Sequence, residues 1–235
     1  MLEVRNIAFT YRSKPVLRDV SLVVSPGETV SLVGDNGAGK TTLLKILATL
    51  QVPDAGQVLT DGQDALAHPL KYRRQLGYMP EVPALYEDMS VKDYLIYRAM
   101  LKGEPDKRIR RRVGEAAEMC QVTEILSKPI AGLSMGQKKR VALADATLLR
   151  PRVLLLDDFL AGLDCSMREA AGPILSAVAA FSSVIVTGHE ISDMATWTTR
   201  FLVLRDGVIA STVPAAGVQR ADLVQRVELA VRGEA

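Results

Sequence analysis

The chain has 235 residues, enough for one large α/β domain with a full apolar core, or two small ones, and no need of disulfides. Charged residues make up 24% and the formal net charge is +2, so no global field points to an anionic membrane surface, and no nucleic-acid partner is expected. Cys120 and Cys165 have no metal-ligand spacing, which fits two ordinary thiols in a reducing compartment.

In chain order, the start alternates as short strands over Leu2 to Thr10, Val20 to Val24 and, after a Pro26-Gly27 turn, Thr29 to Val33. Together they read as a small antiparallel sheet. Gln57-Val58-Leu59 followed by Asp61-Gly62 predicts a further hairpin, and Leu76-Gly77-Tyr78-Met79 a buried strand. From about Ser90 to Leu149 the pattern turns helical, with Val91, Tyr94, Leu95 and Arg98 on one face and Ile109, Val113, Ala116 and Ala117 on another. Val153-Leu154-Leu155-Leu156 is the continuous apolar run of a strand buried on both faces of a parallel sheet. A helix from about Met167, a strand at Val184 to Val186, a hairpin near Phe201 to Ile209 and a short amphipathic helix at Ala221 to Val231 complete the reading. His68 falls in a polar loop, outside any expected site.

The charged N-terminal segment argues against a signal peptide. The uncharged stretch Ala170 to Gly188 has the length of a membrane span, but Gly172-Pro173 and Ser182-Ser183 divide it into a helix ending near Ala180 and a buried strand. Any membrane role must therefore come through another chain.

The chemistry concentrates at Gly34-Asp35-Asn36-Gly37-Ala38-Gly39-Lys40-Thr41-Thr42, placed between an apolar strand and an apolar helix. Two glycines flanking four residues, then Lys and Thr, form a phosphate-binding loop. The glycines let the backbone curl and aim its N–H groups at phosphate oxygens, and the helix N-terminus adds positive potential. Lys40 reaches the β- and γ-phosphates, Thr41 offers a hydroxyl to Mg²⁺, and Thr42 lies where it donates toward the α-phosphate.

What accompanies the loop narrows the reading. Leu133-Ser134-Met135-Gly136-Gln137 opens a helix that leads, past Arg150-Pro151, to the strand ending in Asp157. Here the chain resembles the ATP-binding subunits of ABC transporters, whose LSGGQ signature appears as LSMGQ, over residues 2 to about 212. The resemblance implies a P-loop NTPase (RecA-like) parallel-sheet core with an N-terminal antiparallel β-subdomain and an inserted α-helical subdomain at about 84–149. The nucleotide-binding domain would span 1–218, with a helical tail at 219–235. It implies ATP and Mg²⁺ as ligands, bound by the loop residues Asn36, Gly37, Ala38, Gly39, Lys40, Thr41 and Thr42. Tyr11 would stack on the adenine with Val16 beside it. Asp157 and Glu81 would join Thr41 around the metal, and His189 would contact the γ-phosphate and the attacking water. Ser134, Gly136 and Gln137 would close on a nucleotide held by a second ATP-binding subunit, with Asp164 linking the two sites. A transmembrane permease would be the other partner, placing the chain on the cytoplasmic face of the membrane.

Two departures from the family pattern fall where chemistry is expected. Asp158 stands where Glu would polarise water; it is one methylene shorter, about 1.5 Å, enough to cost on the order of a hundredfold in positioned catalysis. Glu81 stands where Gln is more usual and adds a negative charge near the metal. Phe159-Leu160 replaces the family's Pro-Thr with no evident chemical meaning. Slow hydrolysis with Asp158 as base, or a weak half of a heterodimer, are the alternatives these raise. The turn Leu85-Tyr86-Glu87-Asp88 resembles the ABC-2-type exporter branch. A soluble ABC ATPase is the competing class, although the chain has neither the tandem domains nor the inserted coiled coil of such members. The basic run Lys107 to Arg112 reads as a solvated helix face.

Overall fold

The structure is a computed structural model and describes residues 1–234. Strands β1 (Leu2–Tyr11) and β2 (Lys14–Val24) form a long antiparallel hairpin. Its turn is Arg12-Ser13, at φ 46° and 69°, the left-handed backbone that matches the twist of the flanking strands in a two-residue turn. Expected strand boundaries at Thr10 and Val20 fell short because Arg12 to Asp19 carries too little apolar alternation. Pairing with β1 supplies what periodicity does not show.

Strand β3 (Thr29–Val33) corrects a second expectation: it leaves the antiparallel sheet. All five residues are buried, as a central strand covered on both faces requires. After the phosphate loop comes helix α1 (Lys40–Leu47), then β4 (Ala55–Thr60) and β5 (Gln63–Asp64), joined at the expected Asp61-Gly62 turn. These complete a four-stranded sheet in the order β2-β1-β4-β5. A short helix α2 (Pro69–Arg73), which the sequence reading did not anticipate, starts after an exposed His68.

Strands β6 (Leu76–Met79), β7 (Val153–Leu156), β8 (Ser183–Thr187), β9 (Arg200–Arg205) and β10 (Val208–Pro214) join β3 in a six-stranded sheet of order β10-β9-β3-β8-β7-β6. Every pairing but β9–β10 is parallel. The period of two then sorts each strand into two apolar layers. Val153, Leu155 and Ile185 face α1 and the antiparallel sheet, while Leu154, Leu156, Val184 and Val186 face the helices on the other side.

Those helices are α3 (Val91–Leu101), α4 (Asp106–Met119), α5 (Met135–Thr147), α6 (Cys165–Ala179), α7 (Ile191–Met194) and α8 (Arg220–Arg232). Their buried faces follow the expected spacing, with Val91, Tyr94, Leu95 and Ala99 on α3 and Ile109, Val113, Ala116 and Ala117 on α4. Helix α5 is different: from Val141 to Thr147 every residue is buried, because the helix lies between the other helices and the sheet. Gly77 of β6 permits that contact, since a Cβ there would stand 2.1 Å from the Ala146 carbonyl oxygen. Phe159 and Leu160, without chemical meaning in the sequence, are buried in this same core. They anchor the segment after Asp158. Cys120 is buried, and burial pushes its thiol up to about 12. Among the described residues no helix is long and apolar enough to cross a membrane.

Candidate functional site: a phosphate-loop cleft

Strands β3, β7 and β8 lie side by side in the order β3-β8-β7, and each delivers its C-terminal end to one edge of the sheet. From β3 the chain enters Gly34 at φ 151°, where a Cβ would meet the Leu204 carbonyl oxygen at 2.1 Å. Gly39, at φ 106°, caps α1 and sits so close to Val16 and Leu17 of β2 that a Cβ would come within 2.9 Å of Leu17 Cδ2. Neither position admits a side chain. The loop is thus clamped between the two sheets, and the first-turn amides of α1 have no intrahelical acceptors.

Lys40 Nζ donates to the carbonyls of Gly34 at 2.7 Å and Asp35 at 3.0 Å, so its ammonium lies across the loop. Burial lowers its pKa, while Asp158, Asp35 and Asp157 act in the opposite direction. Thr41 Oγ1 donates to Asp157 Oδ1 at 3.1 Å. Asp157 is 2% exposed, and its Oδ2 is buried without a hydrogen-bond partner. A buried carboxylate oxygen left open beside a threonine hydroxyl fits a bound cation or its water shell. The residues present therefore fit Mg²⁺, held by Thr41 and Asp157 at the mouth of a loop built for phosphates.

Thr187, at the end of β8, ties the acidic pair together. Its hydroxyl donates to Asp157 Oδ1 at 2.8 Å and accepts from the Asp158 amide at 2.8 Å. Asp158 sits at φ 45°, a strained backbone for a residue with a Cβ, and Thr187 together with the Phe159 amide bond to the Thr187 carbonyl holds it there. Sequence reasoning missed this role, although Thr187 stands two residues before the His189 that it singled out. The position of β8 between β3 and β7, which no local pattern encodes, creates it.

A cleft of about 710 Å³ collects most of the expected residues: Tyr11, Val16, Asn36 to Thr42, Glu81, Asp157, Asp158 and His189. Tyr11 ends β1, 56% exposed at the cleft edge, with the Arg12 guanidinium 6.0 Å from its ring centroid. Lys14, Arg18 and Arg205 also line the cleft, cations that no motif had marked. Ser134, Gly136, Gln137 and Asp164 lie outside it. Ser134 instead starts α5, its hydroxyl accepting the Gln137 amide at 3.2 Å while the Gln137 side chain accepts the Ser134 amide at 3.1 Å. That reciprocal cap fixes the helix start with its N-terminus turned to solvent.

Fold and cleft define a phosphate-loop nucleotide-binding domain. The family profile described as ABC transporter matches residues 17–161, and the chain belongs to that family. Its relatives include the spermidine/putrescine import ATP-binding protein PotA of Haemophilus influenzae, 32% identical over 213 residues, 89% of this chain and 57% of that protein. The chain thus spans a little over half the length of the curated relatives of this kind. A solved structure of an ATP-binding subunit of an ABC transporter aligns at TM-score 0.87 and 29% identity, covering 97% of this chain and 99% of that one. A dimeric post-hydrolysis structure of the ATP-binding cassette MJ0796, bound to ADP and Pi, aligns at 0.84 and 25%, covering 93% and 100%.

Proposed function

We propose that the chain binds and hydrolyses ATP as one of two nucleotide-binding subunits that drive a membrane permease from its cytoplasmic side. The observation that carries this reading is the division of the motif residues. Phosphate loop, acidic pair and His189 share one cleft, whereas Ser134, Gly136, Gln137 and Asp164 lie outside it, with Ser134 at an exposed helix start. The dimeric state of the MJ0796 cassette with ADP and Pi supports a two-subunit reading.

In this reading the loop amides and Lys40 bind the phosphates, Tyr11 stacks on the base, and Thr41 with Asp157 holds the metal. When bound, Mg²⁺ neutralises charge on the phosphate oxygens. Asp158 accepts the proton of the attacking water, and His189 orients that water against the γ-phosphate. Thr187 fixes the backbone from which Asp158 reaches. Because the Asp158 carboxylate is one methylene short of a Glu, turnover is slower than the site's affinity for ATP suggests. In this reading the permease selects the cargo. The export expectation from Leu85 to Asp88 has no support in PotA, whose name states import.

The test is steady-state ATPase of purified wild type beside Asp158→Asn and Asp158→Glu, with ATP-driven dimerisation followed by gel filtration. Asp158→Asn is expected to abolish turnover and retain the ATP-bound dimer. Asp158→Glu is expected to raise kcat. Undiminished turnover in Asp158→Asn would remove Asp158 as the base, and a wild type that dimerises without turning over would favour the weak half of a heterodimer.

A further inference from the structure

The first turns of α5 carry three successive cations, and each is committed to a different segment. Lys138 Nζ pairs with Glu87 at 2.5 Å, in the turn before α3. Arg140 pairs with Asp164 at 2.6 Å. Lys139 between them turns inward: it is 4% exposed, and its Nζ donates to the backbone carbonyl of Asp158 at 3.0 Å. An ammonium has three donors, and this bond uses one. The carboxylates that attract it are Asp158, Glu81, Glu190 and Asp157, in that order.

A lysine so deeply buried needs a reason, because taking its charge out of water is unfavourable without close partners. None of these carboxylates forms a direct ion pair with it among the described residues. Its one fixed bond is to the main chain of the residue assigned as base, at a strained φ of 45°. Thr187 holds the Asp158 amide from β8, so the two polar groups of that peptide segment are gripped from opposite sides, by sheet and by signature helix.

We propose that Lys139 is a positioning residue for hydrolysis: it transmits the placement of α5, and hence of Ser134 at its start, to the backbone of Asp158 in the same chain. This rests on the reading of Asp158 as base and of Ser134 as a contact to a second subunit's nucleotide. Lys139 lies five residues after Ser134 on one rigid helix, so any shift of the signature on meeting that nucleotide moves the ammonium that holds Asp158. The buried charge also offsets the crowding of Glu81, Asp157 and Asp158 at the cleft, the extra negative charge that Glu81 introduces included.

The experiment compares wild type with Lys139→Met, which keeps the volume and drops the charge, and Lys139→Arg, which keeps the charge. Three quantities are read: ATPase kcat and KM, ATP affinity by fluorescent-nucleotide displacement, and amide hydrogen exchange across residues 158–162 in nucleotide-free protein. Lys139→Met is expected to lower kcat about tenfold with KM and ATP affinity within twofold, and to speed exchange in that segment. Lys139→Arg is expected to restore part of both. Unchanged kcat and exchange in Lys139→Met would overturn the proposal, as would equal losses in Met and Arg variants accompanied by lost ATP affinity. Should wild type itself turn over no faster than Asp158→Asn, the assignment of the base fails and this proposal with it. Turnover that is normal in both wild type and Lys139→Met removes Lys139 alone.

Discussion

Arg140, on the helix that Ser134 caps, grips the carboxylate of Asp164 with one nitrogen, Nη2 lying 2.8 Å from Oδ1 and 2.6 Å from Oδ2. Asp164 is at the same time the N-cap of α6, accepting the Met167 amide at 2.9 Å and the Ser166 hydroxyl at 2.8 Å. The Met167 amide first, then Ser166 and Arg140, hold its carboxyl below the usual range. The residue assigned to communication between sites therefore joins the starts of two helices. Asp164→Ala removes both functions, and losing the cap alone is expected to cost about 1 kcal/mol in urea unfolding. Asp164→Asn keeps most of the cap and loses the ion pair. Both variants should weaken ATP-driven dimerisation, the Ala variant more, as gel filtration against ATP concentration will show.

The parts of the site legible in the sequence are those carried by contiguous residues. Asn36 to Thr42 form one loop that its spacing reveals, and Leu133 to Gln137 form one helix start that the family resemblance picks out. Thr187 and Lys139 act across strand order and helix packing, through the Asp157 carboxylate and the Asp158 main chain, and no spacing records that. The fold follows the same division. Buried runs such as Val153 to Leu156 announced their strand, whereas β2 from Lys14 to Asp19 and helix α2 depend on partners distant in sequence.

Arg98 was expected on the apolar face of α3, an odd place for a guanidinium. The structure explains it through Asp145 of α5, which is 6% exposed. Arg98 Nη2 lies 3.0 Å from its Oδ2, Lys102 Nζ 2.8 Å from Oδ1, and the Tyr94 hydroxyl donates at 3.2 Å. Burial raises the Asp145 pKa, but attraction to Lys102 and Arg98 outweighs it, and the carboxyl titrates below its ordinary value of 3.8. Its contribution to stability is therefore complete above about pH 4 and is lost as the pH falls further, through the depressed folded value. Asp145→Ala leaves two cations with no carboxylate and is expected to cost about 3–5 kcal/mol in urea unfolding at pH 7. It should also flatten the acid limb of the stability profile below pH 4. Replacing Asp145, Arg98 and Lys102 together by Leu, Leu and Met is expected to be far less damaging than the single change.

Gly77 carries no positive φ, so its requirement is purely one of space. An added Cβ would meet the Ala146 carbonyl oxygen at 2.1 Å and Leu154 Cδ1 at 2.9 Å. One obstacle is backbone, and a side-chain rotation cannot relieve it. Gly77→Ala is expected to push α5 off β6 and cost about 2–3 kcal/mol in urea unfolding. Since α5 carries both Ser134 and Lys139, kcat should fall even at temperatures where the variant is fully folded.

In the proposed reading Tyr11 contacts the base. Its ring stands at the end of β1, just before the Arg12-Ser13 turn, with its centroid 6.3 Å from that of Phe9. Phe9 is 8% exposed and fixed in the core, which limits the conformations open to its neighbour. A half-exposed ring held by a hairpin can offer a flat face with little loss of entropy on binding, and stacking needs nothing more than that face. Tyr11→Ala is expected to weaken ATP binding by about 1–3 kcal/mol, read as displacement of a fluorescent nucleotide. Tyr11→Phe should bind like wild type, because no hydroxyl contact is required. GTP should lose affinity in parallel with ATP, since every purine presents a π face, while inorganic triphosphate should bind wild type and Tyr11→Ala alike. A selective loss for ATP alone would place a base-edge hydrogen bond at Tyr11 in place of stacking.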